Sequence, residues 1–149
     1  MLSWLFSDPL TVGSIAPDFT LADESGRPVS LVSLRGTHVL LVFYPRDNTS
    51  VCTEQLCQLR DNWTRLYEKG VQVFGVNPQS AESHFAFRRK QNLPFHLLVD
   101  QGQKVGRLYR ASGIVPKRTV YLIGPDGRIN FARRGMPSPD QVLAALPLR

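Results

Sequence analysis

An α/β domain is the fold class this sequence predicts, on three observations. Strand-length apolar runs alternate with segments of helical period from residue 38 onward, and glycine or proline marks most junctions. The chain has 149 residues, 42% apolar and 20% charged, enough to bury one core and far from the composition of a disordered polypeptide. No repeat, low-complexity tract or linker divides it. Residues 1–149 are therefore expected to form a single domain, with about residues 1–10 as an N-terminal extension.

The elements follow in order. "VGSIAPDFTLADESGRPVSLVSLRG" sets two short apolar stretches around "DESGRP" and reads as a β-hairpin closed by a glycine-containing turn. Gly36 then breaks the chain before "HVLLVFY", His38 to Tyr44, whose nearly continuous apolar run predicts a central strand covered on both faces. From Thr53 the period changes. Leu56, Leu59, Trp63, Leu66 and Tyr67 fall on one face of a helix expected to run to about Lys69, with Gly70 as its stop.

"VQVFGVN", Val71 to Asn77, is a second buried strand, and Ser80 is placed to cap a helix reaching about Gln91, with Glu82 and Ser83 in its first turn. "FHLLVD" is a third strand, and "QKVGRLYRA" a short helix with Val105, Leu108 and Tyr109 inward. "RTVYLIG" is a fourth strand, turned by "GPDG" into "RINFARR", whose Ile129 and Phe131 alternate as in a half-exposed hairpin partner. Pro137 and Ser138 open a last helix ending in "VLAAL".

Composition removes several function classes. The net charge of +6 is spread from Arg27 to Arg149 rather than gathered into a stripe with exposed aromatics, so it reads as solubilising charge and not as a nucleic-acid surface. The opening "MLSWLFSDPL" has no basic start and is cut by Ser7, Asp8 and Pro9, unlike a signal peptide or a membrane span. A reducing, cytoplasmic setting is the resulting expectation, and persistent cysteines there are more often reactive than structural. No glycine-rich phosphate loop is present. His38, His84 and His96 stand apart from the cysteines without paired spacing and are expected at the surface or at strand ends, so no metal site is foreseen.

The chemistry gathers in "FYPRDNTSVCTEQLCQLRD", which holds both cysteines, Cys52 and Cys57. Cys52 falls where a buried strand meets the first turn of an amphipathic helix. Unpaired N–H groups and the helix dipole favour an anion there, so the thiol should ionise more readily than usual, and the thiolate is the nucleophile. Thr49 and Ser50 add hydroxyls that could donate to a thiolate or a bound oxygen. The competing reading is that one of them merely caps the helix and Cys52 is a small buried apolar residue.

Cys57 weighs against that reading. Residues five apart in an intact helix lie about 8 to 9 Å apart between Cα atoms, whereas a disulfide needs about 4.4 to 6.8 Å. The pair cannot bond until the first turns unwind. Two thiols apart in one state and joined in another suit a two-step redox cycle, one reacting with oxidant and the other resolving it.

At this point "PRDNTSVC" resembles the Pro-x-x-x-Thr-x-x-Cys motif of peroxiredoxins, and "VGSIAPDFTL", "LPFHLLVD" and "RTVYLIGPDGRI" resemble other segments of that family in their expected order. The four-residue gap to Cys57 is similar to the bacterioferritin comigratory protein or PrxQ branch, and the similarity runs from about Val12 to Leu146. The resemblance implies a thioredoxin-like fold, a central mixed β-sheet flanked by helices with an N-terminal hairpin. It also implies an antioxidant thiol peroxidase that reduces hydrogen peroxide and organic hydroperoxides without cofactor or metal.

On that resemblance Cys52 is the peroxidatic cysteine and Cys57 the resolving one, which forms an intramolecular disulfide recycled by thioredoxin or a similar dithiol. Thr49 would orient the peroxide, Pro45 would shield the sulfur from water, and Arg118 would stabilise charge beside it, with Arg46, Arg110 and Lys117 as other basic groups nearby. Partners would be peroxide and dithiol reductant, not nucleic acid or membrane, and the protein a monomer or homodimer. Two positions depart from the family pattern: Gln79 stands where an acidic residue is usual, and Arg110 where a glycine or small residue is usual. Both are expected to lie away from the chemistry. The alternatives are a thioredoxin-like oxidoreductase acting on protein disulfides, for which the close Cys-x-x-Cys pair is missing, and a binding module that keeps only the fold.

Overall fold

The computed structural model describes residues 8–147. The expected N-terminal extension lies, for its first seven residues, outside the described residues. Strands β1 (Thr20–Ala22) and β2 (Pro28–Ser30) form the expected hairpin, and β3 (His38–Phe43), β4 (Val71–Asn77), β5 (His96–Val99), β6 (Thr119–Ile123) and β7 (Ile129–Arg134) form a sheet. Its order is β5-β4-β3-β6-β7, with the first three strands parallel and β6 and β7 antiparallel to their neighbours. This is the mixed α/β architecture that the alternating pattern foretold.

Helices α1 (Ser50–Asp61), α2 (Trp63–Glu68), α3 (Ala81–Gln91), α4 (Lys104–Leu108) and α5 (Pro139–Ala144) cover the two faces. Strand β3 is buried along its whole length, and its side chains alternate between two cores. Leu40, Val42 and Tyr44 pack with Leu56, Leu59, Leu66, Phe87 and Val142 beneath α1, α2, α3 and α5. Val39, Leu41 and Phe43 pack with Phe19, Leu31, Val105 and Tyr109 beneath the hairpin side and α4. A strand between two apolar layers must be apolar on both faces, which is what the unbroken "HVLLVF" run reflects.

Three expectations are corrected. The helix foreseen from Thr53 to Lys69 begins earlier, at Ser50, and breaks at Asn62, whose side chain donates to the Gln58 carbonyl at 2.8 Å and ends α1. The apolar stripe runs through the break, so periodicity alone could not show it, yet Tyr67 at its far end is 68% exposed. Leu108, expected inward on α4, is half exposed, because α4 spans barely more than one turn and only Val105 and the following Tyr109 reach the core.

The third correction concerns histidine. His38 and His96 do begin strands, but His84 lies inside α3 and is fully buried, bonded through Nδ1 to Asp47 Oδ2 at 2.7 Å and through Nε2 to the Leu98 carbonyl at 2.9 Å. Among the described residues no helix is long and apolar enough to cross a membrane.

Candidate active site

The antiparallel pair of β3 and β6 builds the site. Phe43 pairs with Thr119, so the C-terminal end of β3 meets the start of β6, and Arg118 arrives beside the loop that follows Tyr44. That loop runs from Pro45 to Thr49, turns at Asn48 with φ 64°, and delivers the chain into α1. Asparagine tolerates the left-handed region because its short polar side chain bonds locally.

Thr49 occupies the N-cap position of α1 with extended φ and ψ, and its carbonyl accepts the first helical bond from Thr53 at 2.8 Å. Its hydroxyl makes no capping bond to the helix and has only a long, 3.5 Å contact to the Arg46 carbonyl. The hydroxyl is thus not consumed by capping, which was the bland reading of this residue. Cys52 is the third residue of α1, in the turn whose N–H groups have no helical acceptor, so its backbone sits at the electropositive helix end. The Cys52 side chain lies outside the described residues.

Arg118 reaches α1 directly. Its Nη1 donates to Gln55 Oε1 at 2.7 Å, and Gln55, three residues after Cys52, lies on the same face of the helix. Gln55 is only 3% exposed and its amide donates onward to the Gly135 carbonyl at 3.5 Å. Gly135 in turn donates its N–H to the Arg118 carbonyl at 2.8 Å. A second arginine joins this corner: Arg134, paired in register with Thr119, donates to the Thr119 hydroxyl at 2.7 Å. Arg46 and Arg110 are exposed.

Cys57 stands on the far half of α1. It is a free, partly buried thiol, and its Sγ lies 3.6 Å from Gln91 Oε1 at the end of α3. Pro45, Thr49, Cys52 and Arg118 are therefore gathered at one end of the sheet, where β3 ends and β6 and α1 begin, while Cys57 is docked elsewhere along the same helix.

Sequence reasoning missed Gln55, Arg134, Asp47 and His84. The spacing of Gln55 from Cys52 was a usable signal, since residues three apart in a helix share a face. The other three depend on strand register and burial. Gln79 was expected to lie away from the chemistry, yet its Oε1 accepts the backbone N–H of Asp47 at 2.5 Å inside the Pro45–Thr49 loop.

Among the described residues one cluster, Asp23, Glu24 and His96, has ligand-type atoms within 4.8 Å of one another. Those carboxylates already have work: Asp23 accepts the N–H groups of Ser25 and Arg27 at 2.8 and 3.0 Å, and Glu24 accepts Leu97 N–H at 3.0 Å and His96 Nδ1 at 2.9 Å. They fasten the hairpin turn to the edge strand β5. A cavity of about 540 Å³ opens near the start of β4 between Trp63, Tyr67 and Phe95, at the opposite end of the sheet.

The AhpC/TSA family model matches residues 12–132. The chain is 38% identical over 136 residues to the chloroplastic peroxiredoxin Q of Sedum lineare, a match covering 89% of this chain and 73% of that protein. It is 39% identical over 132 residues to a putative peroxiredoxin bcp of Coxiella burnetii, covering 81% and 86% respectively. Of the longer peroxiredoxin Q of Oryza sativa the match spans 61%. The crystal structure of peroxidoxin BcpB from Mycobacterium tuberculosis superposes with a TM-score of 0.85 at 26% identity, over 91% of this chain and 96% of that one.

Proposed function

This chain belongs to the AhpC/TSA family and to its peroxiredoxin Q and bcp branch, and from that premise we propose that Cys52 and Cys57 carry a thiol-dependent peroxidase cycle acting on hydrogen peroxide and organic hydroperoxides. The observation that carries the assignment is the meeting of the α1 N-terminus, with Cys52 in its first turn, and the Arg118–Gln55 bond on the same helix face.

The Cys52 thiolate attacks one peroxide oxygen and forms the S–O bond while the O–O bond breaks. The leaving oxygen takes the electron pair and a proton, and departs as water or alcohol. Helix N–H groups and the Arg118 guanidinium favour the thiolate in the ground state and the charge that moves to the leaving oxygen. The Thr49 hydroxyl, free of a capping bond, can donate to the bound peroxide, and Pro45 closes the loop against water.

The resulting sulfenic acid is attacked by the Cys57 sulfur, releasing water and leaving an intramolecular disulfide. A thioredoxin-type dithiol then exchanges with that disulfide and restores both thiols. A reducing compartment, cytoplasmic in our reading, supports the last step, and the second thiol within the chain removes the need for a partner subunit in resolution.

Peroxide consumption coupled to a dithiol reductant tests the assignment. Wild-type protein should turn over, Cys52→Ser should be inactive, and Cys57→Ser should consume about one equivalent and stall. Turnover that survives Cys52→Ser would refute the assignment of the attacking thiol.

A further inference from the structure

We propose that Asp47 and His84 are positioning residues for the peroxide step, holding the Pro45–Thr49 loop in its reactive shape from beneath; this rests on the peroxidase reading above. Asp47 sits midway between Pro45 and Thr49 and is 6% exposed, whereas Arg46, Asn48 and Thr49 are exposed. It is the buried anchor of the loop.

Four donors grip its carboxylate. Oδ1 accepts the Tyr44 hydroxyl at 2.5 Å and the Asn77 amide at 3.2 Å, and Oδ2 accepts the Ser83 hydroxyl and His84 Nδ1, both at 2.7 Å. Those donors come from the end of β3, the end of β4 and the first turn of α3. The Asp47 N–H is taken by Gln79, whose own N–H is fixed by Asn77 Oδ1 at 2.8 Å.

The chemistry of His84 sharpens the picture. Its two ring nitrogens face the Asp47 carboxylate and the Leu98 carbonyl, so the ring is held at both ends. Asp47 and His84 form an enclosed polar pair in which neither side chain is exposed. Burying such a pair is a weak route to stability, because desolvation offsets the attraction. A fully satisfied polar cage does supply one fixed geometry, which is what a peroxide pocket needs from a loop. None of the donors lies on α1, so the loop keeps its anchor when α1 unwinds.

The test compares two electrophiles on reduced full-length protein. Loss of the Cys52 thiol is followed by quenched-flow mass spectrometry with hydrogen peroxide and, separately, with iodoacetamide, whose reaction has no use for a peroxide pocket. His84→Asn keeps a donor near the Nδ1 position and so serves Asp47, while His84→Gln keeps one near Nε2 and serves only Leu98. The ratio of peroxide rate to alkylation rate should fall about tenfold or more in His84→Gln and stay within about threefold of wild type in His84→Asn.

An unchanged ratio in His84→Gln, or equal falls in the two variants, would overturn the proposal. If His84→Gln does not fold, Ser83→Ala removes another donor from Oδ2. It should lower the ratio about threefold, and an unchanged ratio there also counts against the role. Wild-type protein that shows no preference for peroxide over iodoacetamide would instead sink the peroxidase reading itself.

Discussion

Cys57 Sγ lies 3.6 Å from Gln91 Oε1, and one turn further along α1 Arg60 Nη1 donates to the Gln91 backbone carbonyl at 2.7 Å. The half of α1 that carries Cys57 is thus docked on the C-terminal end of α3, whose last carbonyls need donors. Because helical residues five apart are about 8 to 9 Å distant at Cα, α1 must unwind locally before Cys52 and Cys57 can bond, and the dock holds Cys57 against that change.

Loosening the dock should speed resolution. Arg60→Met keeps the apolar stem and removes the charged bond to Gln91, so disulfide formation after the sulfenic acid should accelerate about threefold to tenfold, with less over-oxidation at high peroxide. Substitutions that stiffen α1 without touching either cysteine should do the reverse. Single-turnover mass spectrometry separates sulfenic acid, disulfide and sulfinic acid. Equal resolution rates in loosened and stiffened proteins would contradict the docking argument.

Arg118→Lys should slow Cys52 oxidation by about tenfold to a hundredfold, since a lysine keeps the charge but loses the planar fork that bonds Gln55. Gln55→Ala should cost less, because it removes one bond of the guanidinium and leaves the group itself in place. Stopped-flow peroxide oxidation of the two variants measures the order, and a slower Gln55→Ala than Arg118→Lys would reverse the assigned roles.

Acid should weaken the protein through Asp47. Burial by itself pushes that carboxyl up, but the hydrogen bond and charge of His84, with the hydroxyls of Tyr44 and Ser83, more than offset it and hold the group below its ordinary value. A lowered folded-state value means stability that is fully present above the unfolded value, near pH 4, and lost as pH falls through the lower folded value. Thermal unfolding should therefore show a loss below about pH 4 that is smaller in Asp47→Asn, itself less stable at neutral pH. Parallel curves for the two proteins would remove Asp47 as the cause.

Arg110 follows the C-cap residue Tyr109 of α4 and has φ 55°, the left-handed geometry that glycine adopts without strain. Arg110→Gly should raise stability by up to about 1 kcal/mol in urea unfolding, the relief of strain being partly offset by the freer unfolded chain. A loss of stability would mean that the exposed side chain contributes more than its backbone costs.

Sequence patterning carried far where one rule acted alone. The strand Val71–Asn77 and the Ser80-capped helix to Gln91 appear at the residues foreseen, because an apolar run with flanking glycine and a serine cap accepting from Ser83 N–H are local facts. The position of Cys52 at a strand-to-helix junction was legible for the same reason. The break at Asn62 was not, since the apolar stripe continues across it. Nor was the burial of His84 and Asp47: a polar residue on a helix and an acid in a turn read as solvated until β3, β4 and α3 are brought together. The departure at Gln79 mattered for that reason too, its amide oxygen serving Asp47 in a loop assembled only by tertiary structure.

The two-thiol cycle is tested most directly by peptide mass spectrometry of the reduced protein before and after one equivalent of hydrogen peroxide. The predicted result is a monomeric chain lighter by two hydrogens, with the Cys52 and Cys57 peptides joined to each other. Both thiols still free after the peroxide has been consumed, or a disulfide formed only between chains, would contradict it.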